Sequence, residues 1–200
     1  MSFHTKIKEA TQHQHQATEQ LLFPQQNWSD LSLDQYREFL QIQYVFYQRA
    51  EQQIDVALSP GLRQMLDWSN RQKLPWIEAD LLEINAITPV GFPKDMMVAS
   101  EGEAMGLLYV TEGSTLGGRM IMKALQKNEK IAPYTSFRFL SGYGADTSAY
   151  WKSFLRVLED NHHQPETVIA AAQQGFDLFS QSVYLIREKQ LAKQPPLRSI

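Results

Sequence analysis

Apolar residues recur every three to four positions along the long segments of this chain, and no stretch alternates with period two between hairpin turns. That pattern restricts the fold to helices, each buried along one face. The first segment, residues 3–23, has Phe3, Ile7, Ala10, Gln14, Ala17, Leu21 and Leu22 near one side and Lys6, Lys8, Glu9 and Gln12 around the rest. Pro24 and Gln25-Gln26-Asn27 close it. Ser32 is placed to cap a second helix over 33–58, which ends before Ser59-Pro60-Gly61. Shorter helices are predicted over 61–70 and 75–85, and a long connection over 84–94 with Pro89, Gly91 and Pro93. A glycine-dense helix is predicted over 96–126, a loop over 131–145, and two final helices over 147–161 and 166–189, split by Pro165. The expected fold is an all-α helical bundle. With 200 residues, 43% of them hydrophobic, one domain over 1–190 with a frayed C-terminal tail over 191–200 is the expected organisation.

Composition excludes several functions. Lys+Arg 19 against Asp+Glu 22 leaves a net charge of −3, without the basic excess that a general nucleic-acid binder needs. The absence of cysteine removes disulfides, thiolate nucleophiles, and cysteine-ligated zinc or iron–sulfur clusters. Five histidines remain as the main nitrogen ligands. The N-terminal run MSFHTKIKEATQHQHQ has no apolar core of signal-peptide length, and no window reaches a membrane span. A cytoplasmic protein with neither a membrane nor a nucleic-acid partner is expected.

Two local features ask for chemistry. His13 and His15 lie two apart and face different sides of a helix, so they cannot chelate one ion together. His15 and Glu19 lie four apart and are neighbours, an arrangement that suits either a ligating imidazole with a nearby acceptor or a plain solvated pair. The second feature is Gly106-Leu107-Leu108-Tyr109-Val110-Thr111-Glu112-Gly113-Ser114-Thr115-Leu116-Gly117-Gly118-Arg119, which is neither a dinucleotide turn nor a phosphate loop. Each glycine inside a helix costs about 1 kcal/mol against alanine. Gly113, Gly117 and Gly118 therefore imply backbone brought close to something, either a flat ligand or a neighbouring helix.

Together these segments resemble the haem oxygenase family. Ile7-Lys8-Glu9-Ala10-Thr11-Gln12-His13-Gln14-His15, with Glu19 and Phe23, is similar to the family's opening helix, whose last histidine binds haem iron; the spacing selects His15. Leu108 to Gly118 resembles the glycine-rich distal helix of the bacterial branch. A weaker likeness runs from Gly142-Tyr143-Gly144-Ala145-Asp146 through Trp151-Lys152-Ser153-Phe154-Leu155-Arg156, similar to the helix that meets the haem propionates.

The resemblance implies a haem-oxygenase-like bundle in which haem b is both substrate and cofactor, with His15 as the metal ligand. Gly113, Ser114, Gly117 and Gly118 would form the catalytic face that directs oxygen onto the ring. Lys8, Glu19, Tyr109, Lys152 and Arg156 would join His15 in holding the cofactor, with the cations on the propionates. Phe176 and Phe179 would add apolar wall. The implied products are biliverdin, carbon monoxide and ferrous iron, made with O2 and electrons from a ferredoxin, a flavodoxin or a flavoprotein reductase. Ser114 stands where animal members carry an aspartate, so proton delivery must differ from theirs. Three alternatives compete: a non-catalytic haem-binding, storage or transfer protein on the same fold; a di-iron oxidase built around Glu159 and His162; and a cofactor-salvage hydrolase, which would lack its cysteine nucleophile.

Overall fold

A computed structural model describes residues 1–22, 27–91, 93, 96–161 and 164–192. Among these the chain is all-α, with eight α-helices and no strand. They are α1 (Phe3–Leu22), α2 (Leu33–Ala57), α3 (Pro60–Leu66), α4 (Leu74–Glu83), α5 (Glu101–Leu125), α6 (Arg138–Ser141), α7 (Thr147–Asp160) and α8 (Pro165–Ala192). Of the predicted stop, Asn27 caps the short turn that follows, while Pro24, Gln25 and Gln26, together with Phe23, lie outside the described residues. So do His162 and residues 193–200 of the expected tail, whereas Leu191 and Ala192 are helical.

Helix starts follow from local hydrogen bonding. α2 begins where predicted because the Ser32 hydroxyl accepts from the Gln35 N–H at 3.1 Å while Gln35 Oε1 accepts from the Ser32 N–H at 2.8 Å. α5 begins later than position 96 because Ser100 and Glu103 form a second such box, at 3.3 and 3.0 Å. Replacing a cap of this kind typically costs about 1 kcal/mol. The α1 terminus is capped from afar: the Glu159 carboxylate of α7 accepts the Phe3 N–H at 3.1 and 3.2 Å.

The core sits where α2, α5 and α8 meet, with α1 laid along α8 and α7 against both α5 and α1. α5 and α8 pack closely because each offers a glycine. A methyl on Gly106 would overlap the Val168 carbonyl oxygen and sit 2.8 Å from Ala171 Cβ and 2.9 Å from Ala172 N. One on Gly175 would meet Val110 Cγ2 at 3.0 Å and Leu107 Cδ1 at 3.1 Å.

The segment predicted as a loop over 131–145 contains α6. Its first amides are capped by Asp80 of α4, whose carboxylate accepts from Arg138 N at 2.8 Å and Phe139 N at 3.0 Å. Phe137 precedes it at φ 55, and Gly142 ends it at φ 53. The cap comes from more than fifty residues away, so no local signal announces it. Through this arrangement α6 places Phe139 and Leu140 beside α5, where they close one end of a cavity.

Candidate functional site

α1 and α5 face each other across a cavity of about 770 Å³. This falls in the size range of small-molecule and cofactor sites. From α1 come His4, Lys8, Thr11, Gln12, His15 and Glu19. From α5 come Tyr109, Val110, Gly113, Ser114, Thr115, Leu116, Gly118 and Ile121. Phe39, Phe46, Phe139, Phe176 and Phe179 supply aromatic wall from α2, α6 and α8, and Trp151 supplies it from α7.

His15 looks into this space. Its ring stands edge-on to Phe176 with centroids 5.8 Å apart, and its Nδ1 lies 3.7 Å from Glu19 Oε2. The Thr18 hydroxyl donates to the His15 carbonyl at 2.8 Å, which tightens the turn carrying it. His13 is exposed and does not line the cavity.

On the opposite side the glycines divide into two kinds. Gly106 and Gly175 are small because a neighbouring helix occupies the space, and Gly118 has the Leu140 carbonyl oxygen 3.0 Å from where its Cβ would be. A Cβ on Gly113 would meet nothing closer than the Trp151 ring at 3.9 Å, and one on Gly117 nothing within 4 Å. Protein packing therefore explains the small residue at 106 and 118, while at 113 the missing side chain keeps backbone open to the cavity. Gly117 sits on the exposed flank of α5 and does not line the cavity. Residues four positions apart are neighbours on a helix, so Gly113 and Gly117 share a side, yet past Gly113 the wall is made by Ser114, Thr115, Leu116, Gly118 and Ile121, without Gly117.

Ser114 lines the cavity and is held from behind. Its hydroxyl is 2.5 Å from the Tyr47 hydroxyl of α2 and donates to the Thr111 carbonyl at 2.9 Å; the Tyr47 hydroxyl lies 3.2 Å from that same carbonyl. Burial holds the Tyr47 phenol protonated well beyond its ordinary range. Tyr109 is packed among Trp151 and His4, with centroids at 5.8 and 6.4 Å, and burial raises its phenol as well.

Lys152 and Arg156 are not brought to the site. α7 turns Trp151 toward the cavity and buries Phe154 and Leu158 in the core, which leaves Lys152 and Arg156 on its exposed side. Of the cations expected to meet a ligand's carboxylates, Lys8 alone lines the wall. The di-iron alternative finds no support among the described residues: none gather three or more histidine or carboxylate ligands, and the Glu159 carboxylate is engaged at the start of α1.

A family model described as "Heme oxygenase" matches residues 1–184. The chain belongs to the haem oxygenase family. Among curated relatives it is 30% identical over 115 residues to a heme oxygenase of Xanthomonas campestris, covering 56% of this chain and 67% of that one. It is 28% identical over 181 residues to heme oxygenase PigA of Pseudomonas aeruginosa, covering 85% and 84%. Its fold is similar to that of the NO- and CO-bound heme oxygenase from Neisseria meningitidis, with TM-score 0.77, 22% identity and coverage of 93% and 92%. It is also similar to heme oxygenase-1 of the cyanobacterium Synechocystis in complex with heme, with TM-score 0.67, 12% identity and coverage of 96% and 95%.

Behind the glycine-rich helix of this haem oxygenase homologue lies a charge cluster that the sequence reading missed. The Glu112 carboxylate, 1% exposed, pairs with both Arg71 and Lys73 and accepts a hydrogen bond from the Tyr143 hydroxyl at 2.9 Å. Arg71 also donates to Ser153 Oγ at 2.7 Å and to the Tyr150 carbonyl at 3.3 Å. Glu51 accepts from the backbone of Lys73 and Leu74, and burial raises its carboxyl to about 7. The cluster ties α5 to the α3–α4 connection and to α7. Its sequence signal was the glutamate itself, the one charged side chain between Glu103 and Arg119, of a type almost never fully buried without a partner.

Proposed function

We propose that this protein opens haem b oxidatively to biliverdin, with release of carbon monoxide and ferrous iron, using O2 and electrons from an external donor. The donor class is a ferredoxin, a flavodoxin or a flavoprotein reductase. One observation carries this reading: an imidazole on α1 faces bare glycine backbone on α5 across an apolar cavity large enough for a flat macrocycle.

The residues present fit that substrate. Haem, when bound, supplies the iron at which oxygen is activated and the ring that is cut. His15 would hold the metal as a neutral imidazole, its plane fixed by Phe176. Glu19 lies on the Nδ1 side of the ring, which leaves Nε2 as the nitrogen free to ligate. Lys8 and the Tyr109 hydroxyl would take the substrate's carboxylates at the polar end of the wall. Gly113 would bring α5 backbone against the ring face and leave little room beside it.

Ser114 and Tyr47 are the hydroxyls available for proton delivery from that side. At 2.5 Å they are hydrogen-bonded, and a relay through the pair needs only the Ser114 hydroxyl to turn from the Thr111 carbonyl toward the cavity. The phenol stays protonated at any physiological pH and so remains a donor. Among the described residues no helix is long and apolar enough to cross a membrane, which accords with a cytoplasmic enzyme.

The reading is tested by adding ferric haem to the wild type, His15→Ala and His13→Ala. Wild type and His13→Ala should give the same histidine-ligated Soret spectrum, and His15→Ala should lose it. Equal loss from both substitutions, or no haem uptake by the wild type, would overturn the assignment.

A further inference from the structure

The cavity has too little positive charge for the ligand it is proposed to hold. Haem brings two carboxylates, yet Lys8 is the one permanent cation on the described wall, and Glu19 offsets it. Lys152 and Arg156, which could have supplied more, lie outside.

His4 is the other titratable base at that end. It sits eleven residues before His15, three helical turns and within about 20° on the same face of α1. Lys8 lies between them, one turn from His4. A rise of about 1.5 Å per residue puts His4 roughly 16 Å from His15 along the helix, beyond Lys8 and at the far end of the cavity. Its ring lies 5.7 Å from Trp151 and 6.4 Å from Tyr109, half-buried. The charged or titratable groups facing it are Lys8 from its own helix, Tyr109 from α5 and Glu159 from α7. Burial and the Lys8 cation disfavour the imidazolium and outweigh the Glu159 carboxylate, so without ligand the ring is neutral at pH 7.

We propose that His4 is a second partner for the substrate's carboxylates, one that takes up a proton as the substrate binds. An incoming carboxylate supplies the negative charge that this end of the cavity lacks and reverses the balance at the ring. Linkage fixes the sign: a group that binds its proton more tightly in the complex makes binding stronger at lower pH. Between the free and bound titration points, affinity falls up to tenfold for each pH unit gained. The inference rests on the haem reading above.

The experiment measures the affinity of zinc protoporphyrin, a redox-inert analogue with the same carboxylates, from pH 6 to 9 for the wild type, His4→Gln and His4→Lys. The His4 ring protons are followed by NMR with and without the analogue. The wild-type to His4→Gln affinity ratio should rise as the pH falls, His4→Lys should bind without that dependence, and the His4 titration should move upward on binding. Any protonation of His15 is common to all three proteins and cancels in the ratios. With the dimethyl ester of the analogue the wild-type to His4→Gln ratio should become independent of pH. Binding with a constant ratio across the range, or an unmoved His4 titration, would overturn the inference while leaving haem binding intact. Failure of every protein to bind the analogue and haem would instead overturn the haem reading.

Discussion

Adding one methyl group to α5 at two positions should have opposite effects on stability. At Gly106 the new Cβ overlaps the Val168 carbonyl oxygen and crowds Ala171 and Ala172. Two of those contacts are backbone atoms of α8, which cannot swing aside. Overpacking of this severity costs about 3 kcal/mol, and the gain in helix propensity returns only about 1 kcal/mol. Gly106→Ala should therefore lose about 2 kcal/mol. In a chain of this length that lowers Tm by roughly 4–8 °C. At Gly113 the nearest atom to the new Cβ is the Trp151 ring at an ordinary 3.9 Å. Gly113→Ala should keep the propensity gain of about 1 kcal/mol and raise the Tm of the ligand-free protein by roughly 2–4 °C. The same methyl would enter the cavity and weaken haem binding about tenfold, corresponding to about 1.4 kcal/mol of crowding. Thermal melts of the ligand-free variants and haem titrations provide the comparison. A Gly113→Ala protein that is less stable than wild type, or binds haem as well, would show that this glycine serves packing. An unchanged Gly106→Ala protein would refute the helix contact.

Removing the buried counter-charge with Glu112→Gln strands Arg71 and Lys73 and should cost about 3–5 kcal/mol in urea denaturation. A loss below about 1 kcal/mol would mean that water reaches the cluster. Glu51, raised to about 7 from 4.5, keeps its proton in the folded state to higher pH than in the unfolded chain. Stability should therefore fall as pH rises from 4.5 through 7, and Glu51→Gln should flatten that slope, an outcome that denaturation at pH 5 and 7.5 would check. Tyr47→Phe keeps the ring but removes the hydroxyl beside Ser114, so haem binding should persist while turnover slows; unchanged turnover would remove Tyr47 from proton delivery. Lys8→Ala should change the ratio of biliverdin isomers, and Lys152→Ala and Arg156→Ala should not. A shift in the latter two, read by chromatography of the product, would bring α7 cations back to the haem edge.

What could be read from the sequence depended on whether the deciding contact was local. The α2 start was visible because its cap, Ser32, immediately precedes the helix, and the preference for His15 over His13 followed from the spacing of the motif that resembles the family's opening helix. The α5 start was equally local, yet the apolar residues Met96 and Val98 carried the predicted helix past the Ser100 cap; both are buried without being helical. Lys152 and Arg156 show a different limit. Their spacing established that they share a face, but Trp151 and Phe154 determine which face of α7 turns inward. α6 was missed because its cap is Asp80, and Glu112 was passed over because Arg71 and Lys73 lie about forty residues earlier. Tyr47 lies in α2, far from Ser114 in the chain, and only the fold brings its hydroxyl to Ser114. The even choice at the glycine-rich helix, ligand or helix packing, resolves by position. Gly106 and Gly118 face protein atoms, and Gly113 faces the cavity.

The most direct test is turnover of the haem complex in air with a competent reductant and catalase present, following the Soret band, biliverdin absorbance and carbon monoxide together. Decay of the Soret band into biliverdin with one equivalent of carbon monoxide per haem is the predicted result. A histidine-ligated complex that survives reductant and oxygen unchanged would contradict it and make this chain a haem carrier built on an oxygenase fold.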